Sequence, residues 1–150
     1  MTALPGFALW RWPLELLSLA LACAPYLTVA QNWGSLPERI PTHFGPSGLP
    51  DAWGARWKIW LYPLISVPLY VIFAAKMRLL PWNGAEAADA RLVPLLAPAG
   101  ILCCALVAYT CSMTVKISRG EAMALNRTVL YPLLGLLLGH CVLATYLLKK

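Results

Sequence analysis

Charge is what this chain has least of. Of its 150 residues only 12% are Asp, Glu, Lys or Arg, while 60% are hydrophobic and the mean hydropathy is +0.67. A soluble domain of this length needs more polar residues to cover its surface, so a water-soluble globular protein is excluded. Histidine is scarcer still, with two in the chain, His43 and His140. There is no His-Glu-x-x-His zinc motif, no nucleophile motif and no glycine-rich phosphate loop, so no catalytic arrangement is visible and enzyme activity is not expected. The five cysteines (Cys23, Cys103, Cys104, Cys111 and Cys141) form no Cys-x-x-Cys pair, and all fall in apolar segments. That pattern argues against a disulfide scaffold or a cysteine zinc site, because buried cysteine behaves as a small hydrophobe. The formal net charge of +6 does not point to nucleic acid either. The twelve Lys and Arg residues lie beside apolar segments as headgroup anchors, with no basic stripe and no stacking platform.

What the chain does have is apolar length. A helix rises about 1.5 Å per residue, so about 20 apolar residues cross the hydrocarbon core. Four such spans are read at residues 13–30, 59–75, 92–115 and 128–148, which predicts an all-α integral membrane protein in a single membrane domain. The third and fourth contain no charged residue. The second is short, with Trp57 and Trp60 at its start in the manner of an interfacial belt. The first carries Glu15 near its beginning, four residues after Arg11, where an ion pair on one helix face is the simplest account. Thr28-Val29-Ala30 resembles a small-residue cleavage site, so a cleavable leader is the rival reading of that segment; it is taken here as a span. Lys and Arg divide evenly, six on the face of the termini and six on the other, so the positive-inside rule does not decide the orientation.

Proline punctuates these spans at Pro25, Pro63, Pro68, Pro94, Pro98 and Pro132, predicting kinked helices. Gly135 and Gly139 form a GxxxG pattern in the fourth span. It suits close helix packing within the bundle, a homodimer seam, or docking onto another protein. His140 follows directly; an intramembrane ionisable group is a functional candidate, here as a cofactor ligand, a proton carrier or a hydrogen-bond donor to a neighbouring helix.

Between the first two spans lies a 23-residue polar segment, Leu36–Lys58, reading LPERIPTHFGPSGLPDAWGARWK. Four prolines (Pro37, Pro41, Pro46, Pro50) and three glycines (Gly45, Gly48, Gly54) fix too many backbone angles for a disordered linker. Pro37 and Pro41 bias the preceding residues toward extended geometry, and Gly45-Pro46-Ser47-Gly48 is a turn signal. Asp51 suits the N-cap of the following helix near Trp53. An ordered hairpin over the outer ends of the bundle follows, with His43 and Asp51 on opposite sides of the turn. They are placed to form a structural hydrogen bond, a ligand- or pH-sensing pair, or part of a metal site that lacks a third ligand.

This segment resembles the SdpI-like family of bacterial membrane proteins, related to the immunity protein for a sporulation-delaying toxin. The resemblance rests on Leu36, Pro37, Ile40, Pro41, His43, Phe44, Gly48, Asp51, Trp53, Gly54 and Lys58. The chain departs from the pattern at Gly45-Pro46, where the family often has Asn, and its basic residue falls at Arg56 or Lys58. The resemblance implies a multi-pass protein of the bacterial cytoplasmic membrane, with both termini inside and residues 31–58 outside. It implies a non-enzymatic sensing, immunity or regulatory role through the outer loop, without a cofactor. The competing expectation is an accessory subunit of a larger membrane complex, in which the seven tryptophans, the GxxxG face and His140 pack against other chains or a pigment. The expected partners are the lipid bilayer and either further copies of the chain or other membrane subunits. A transporter half is weaker, since no internal repeat or buried charge pair is visible.

Overall fold

The computed structural model describes the backbone of residues 5–79 and 87–148, and the side chains of residues 12–75 and 98–146. In chain order it comprises α1 (Pro5–Asn32), a 3-10 turn (Trp33–Ser35), β1 (Arg39–Phe44), β2 (Pro50–Ala55), a second 3-10 turn (Arg56–Trp60), α2 (Leu61–Leu79), α3 (Ala87–Ser118) and α4 (Arg127–Leu148). The chain is mostly helical. Each helix carries a stretch long and apolar enough to cross a membrane, at Trp12–Ser35, Arg56–Ala75, Pro98–Ser118 and Arg127–Tyr146. Four such helices make this a membrane protein whose outer helix faces meet lipid. At 32 residues, or about 48 Å, α3 exceeds the bilayer core. It is the central element: α1, α2 and α3 pack on one another, and α4 packs chiefly on α3.

Inside the bundle the helices are joined by single hydroxyl and thiol contacts. The Ser66 hydroxyl of α2 donates to the Ala22 carbonyl of α1 (2.8 Å), with the Pro63 carbonyl of its own helix at 3.2 Å. The Cys111 thiol of α3 reaches the Pro25 carbonyl at 3.9 Å. Thr114 spends its hydrogen on the Thr110 carbonyl (2.8 Å), so the Tyr62 hydroxyl is the donor in the 2.9 Å Tyr62–Thr114 bond that ties α2 to α3. Proline at position 25 removes a backbone N–H from α1, and it is beside Pro25 that neighbouring helices reach in. Ser66→Ala is therefore expected to cost about 0.5–2 kcal/mol, as for other interhelical hydrogen bonds in bilayers. Unfolding in an SDS titration of mixed micelles checks it; a neutral result would mean that the Ala22 carbonyl is satisfied without Ser66.

The best-buried apolar cluster lies at the end of the bundle that carries the hairpin. Val29 of α1, Leu36, Ile40 of β1, Ile59, and Cys111 and Val115 of α3 form it, with Trp33, Trp60 and Tyr62 against its rim. Trp60 sits 5.8 Å from both Tyr26 and Trp33, centroid to centroid. The Arg56 guanidinium lies 4.5 Å over the Trp33 ring and donates to the Leu36 carbonyl at 3.3 Å. Trp57, the next residue, is 60% exposed, as suits an amphipathic side chain of the kind enriched at membrane interfaces.

Three expectations change or fall outside what the structure describes. Asp51 does not cap a helix: β2 runs on to Ala55, which stands at the N-cap of the second 3-10 turn and makes no side-chain cap bond. Its carboxylate is taken up across the hairpin instead. Gly135 and Gly139 make no close contact among the described residues, where a Cβ at either would meet no atom within 4 Å. The basic side chains assigned to the face of the termini (Arg11, Lys76, Arg78, Arg91, Lys149 and Lys150), the side chain of Pro94, and residues 80–86 lie outside what the structure describes. Glu15 faces a water-sized cavity of about 10 Å³ between α1, α2 and α3, together with Ser18, Tyr70 and Cys104.

Candidate functional site: the hairpin between the first two spans

The segment 39–55 folds as an antiparallel hairpin because its two β-compatible runs flank a glycine- and proline-built turn. The Gly48 N–H donates to the Gly45 carbonyl (2.8 Å) and the Gly45 N–H to the Leu49 carbonyl (2.9 Å). Gly48 has φ +80°, a conformation that side-chain-bearing residues rarely adopt. Four rungs, Arg39–Ala55, Ile40–Gly54, Pro41–Trp53 and Phe44–Pro50, share one register in which His43 would stand opposite Asp51. At that point the ladder slips and His43 pairs with Ala52 instead. Pro41 has no N–H to offer the ladder, and such irregularities re-aim nearby side chains.

The result is a short contact between two of the predicted residues. His43 Nδ1 lies 2.5 Å from Asp51 Oδ1, with side chains 70% and 50% exposed. A carboxylate only accepts, so Nδ1 carries the hydrogen and Nε2 is the nitrogen left to solvent. The other carboxylate oxygen packs over Gly45, where a Cβ would sit 3.3 Å from Asp51 Oδ2. An imidazole oriented this way by a carboxylate can accept a proton, accept a hydrogen bond or donate a lone pair to a metal. Among the described residues no group of three or more His, Cys, Asp and Glu side chains comes together as a metal cluster.

The remaining motif residues hold the hairpin. Pro41 is almost fully buried, as is Ile40, while Pro37 lies exposed before β1. Phe44 closes β1 half-buried, and Trp53 is 48% exposed on β2. Gly54 allows close passage: a Cβ there would stand 2.8 Å from Thr42 Cγ2 and 3.1 Å from Lys58 Cδ. The turn is fastened to the bundle by bonds that no motif signals. The Leu125 N–H, just before α4, donates to the Gly48 carbonyl (2.9 Å), and the Tyr131 hydroxyl of α4 donates to the Pro46 carbonyl. Arg119 links Asn32 (2.5 Å) and Glu121 (2.7 Å) beside them. Sequence separations of 77 to 87 residues hide such pairs from a linear reading.

His140 is elsewhere. It lies about 20 Å along α4 from Arg127, in an apolar groove of about 590 Å³ between α1, α3 and α4, beside Gly135 and Gly139. The structure does not bring it to the hairpin.

A four-helix membrane bundle bearing a clamped hairpin with an oriented, solvent-facing imidazole is the class that fold and site define. Residues 20–67, which run from mid-α1 through the hairpin into α2, match the family described as Domain of unknown function (DUF1648). An uncharacterized protein of Archaeoglobus fulgidus is 38% identical over 76 residues, which cover 49% of this chain and 38% of the relative. The chain thus spans well under half the length of that relative. No solved structure matches.

Proposed function

We propose that this is a non-enzymatic sensing or regulatory protein of the SdpI-like type in the cytoplasmic membrane of a prokaryote, with the hairpin outside and both termini inside. It senses or neutralises an agent at the outer face through the His43–Asp51 pair. The observation that supports this reading is the pair itself: both residues lie in the family-matched segment, both are exposed, and the carboxylate orients the imidazole with Nε2 outward.

Exposed ion or hydrogen-bond pairs contribute about 0.2–1 kcal/mol. Under this reading His43→Ala lowers the free energy of unfolding by less than about 1 kcal/mol, yet removes the response to the outer-face agent. Equilibrium unfolding in mixed micelles measures the first part. A loss of several kcal/mol would instead make the pair a structural pin.

A second reading, an accessory subunit of a larger membrane assembly, draws on α4. No residue in its apolar stretch is buried, and its two glycines and the groove at His140 lie open. Native purification in mild detergent, with mass spectrometry of co-migrating species, separates the two. Recovery alone or as a homo-oligomer supports the autonomous protein; stoichiometric recovery with other membrane subunits or a bound pigment overturns it.

A further inference from the structure

We propose that the hairpin turn is the coupling element between the outer site and α4, so that a change at His43–Asp51 reaches α4 and leaves the α1–α2–α3 core undisturbed. This deepens the sensing reading above and rests on it for its biological use, though the mechanical claim stands or falls by itself.

The base of the hairpin and its tip are held by different parts of the molecule. The base is seated in the buried cluster, where Ile40 meets residues of α1 and α3, and Arg56 N–H donates to the Glu38 carbonyl at 2.8 Å. The tip is held elsewhere. Its bonds run to the start of α4: Leu125 N–H to the Gly48 carbonyl, and Tyr131 O–H to the Pro46 carbonyl. The fit is close, since a Cβ on Gly48 would lie 2.8 Å from the Leu125 carbonyl oxygen.

The dyad is built into the same turn. One Asp51 oxygen bonds His43 Nδ1 and the other rests against Gly45, which begins the turn and bonds Leu49 and Gly48. Any ligand or charge that draws Asp51 away from His43 also shifts the carboxylate over Gly45, and the turn carries the bonds to Leu125 and Tyr131. The receiving helix is the one least constrained by the rest of the chain, because α4 packs chiefly on α3 and nothing in its apolar stretch is buried. Besides the tip, its outer end is held by the Tyr109 hydroxyl of α3 on the Asn126 carbonyl (2.9 Å), and by the Asn126 side chain accepting from the Thr128 N–H (3.0 Å). A helix with so few ties responds where a buried one does not.

The test is amide hydrogen exchange on the full chain in lipid nanodiscs, read by mass spectrometry with no ligand present. Tyr131→Phe and Gly48→Ala each break one tie and are expected to speed exchange across residues 123–131 about tenfold, the scale of one lost hydrogen bond. Asp51→Ala is expected to speed the same residues, although Asp51 touches none of them, while residues 61–66 and 112–118 keep their protection. An Asp51→Ala effect confined to residues 43–51 overturns the coupling, as does unchanged exchange at 123–131 in Tyr131→Phe and Gly48→Ala. Because no ligand enters the experiment, failure of the coupling leaves the sensing reading standing. Failure to find an outer-face agent leaves the exchange result untouched.

Discussion

Ile40→Ala is expected to destabilise the protein by about 2–5 kcal/mol, the range for emptying a well-packed isoleucine site. Ile40 is 1% exposed, although it lies in a polar hairpin between two apolar helices of the chain. Its neighbours Val29, Ile59, Cys111 and Val115 come from α1, the turn before α2, and α3, so the lost side chain leaves a void that no single element can close. The transfer term and the cavity term therefore both apply in full. Thr42→Ala, two residues along on an exposed site of the same strand, serves as the control, with a change within about 0.5 kcal/mol. Unfolding followed by SDS titration separates them. Equal effects of the two substitutions would mean that the hairpin is not seated in the core. A large effect of Ile40→Ala alone makes the buried cluster the anchor of the motif segment.

The second large effect is expected at Gly100, from the opposite kind of change. A Cβ at this position of α3 would lie 3.0 Å from Cγ and 3.1 Å from Cβ of Phe73 on α2. The absence of a side chain at Gly100 is what lets the two helices approach, in a bilayer where close packing replaces the hydrophobic driving force. Gly100→Leu drives a branched side chain into that contact, with Phe73 unable to retreat without moving α2. Overpacking of this kind costs about 1–3 kcal/mol. The double variant Gly100→Leu with Phe73→Ala should recover part of the loss, because it removes the ring that the leucine strikes. Melting of the two variants and of the unmutated protein in lipid discs checks this. No recovery in the double variant would place the damage elsewhere than at the α2–α3 contact. The same double variant tests whether the α2–α3 seam, rather than α4, sets the stability of the bundle.

The hairpin pair illustrates how much a linear reading reaches. Pro37, Pro41, the Gly45–Gly48 turn and the spacing of His43 from Asp51 are local signals, and local signals specify an extended arm, a turn and a return arm. The register is not local. It depends on Pro41 withholding an N–H and on the slip that pairs His43 with Ala52, which is also why Asp51 continues a strand instead of capping a helix. The GxxxG pattern shows the reverse case. Gly135 and Gly139 carry the spacing for helix packing, yet spacing does not say whether a helix comes close, and among the described residues none brings an atom within 4 Å of a Cβ at either.

The sequence by itself determined that the chain enters a membrane, that it does so through four helices, and that a polar, turn-rich segment joins the first two. Each of these rests on composition and on periodicity along a few residues, where burial of apolar surface and backbone restriction act locally. Only the tertiary structure decided which groups meet across the chain. The Leu125–Gly48 and Tyr131–Pro46 ties, the Arg56–Trp33 contact, the Ser66–Ala22 bond and the burial of Ile40 against α1, α3 and the turn before α2 all join residues far apart in sequence. Their partners are backbone carbonyls, an aromatic face and ordinary aliphatic side chains, which carry no residue pattern of their own. Such contacts are selected by the packing of whole helices, and packing is a property of three-dimensional surfaces that linear spacing does not encode.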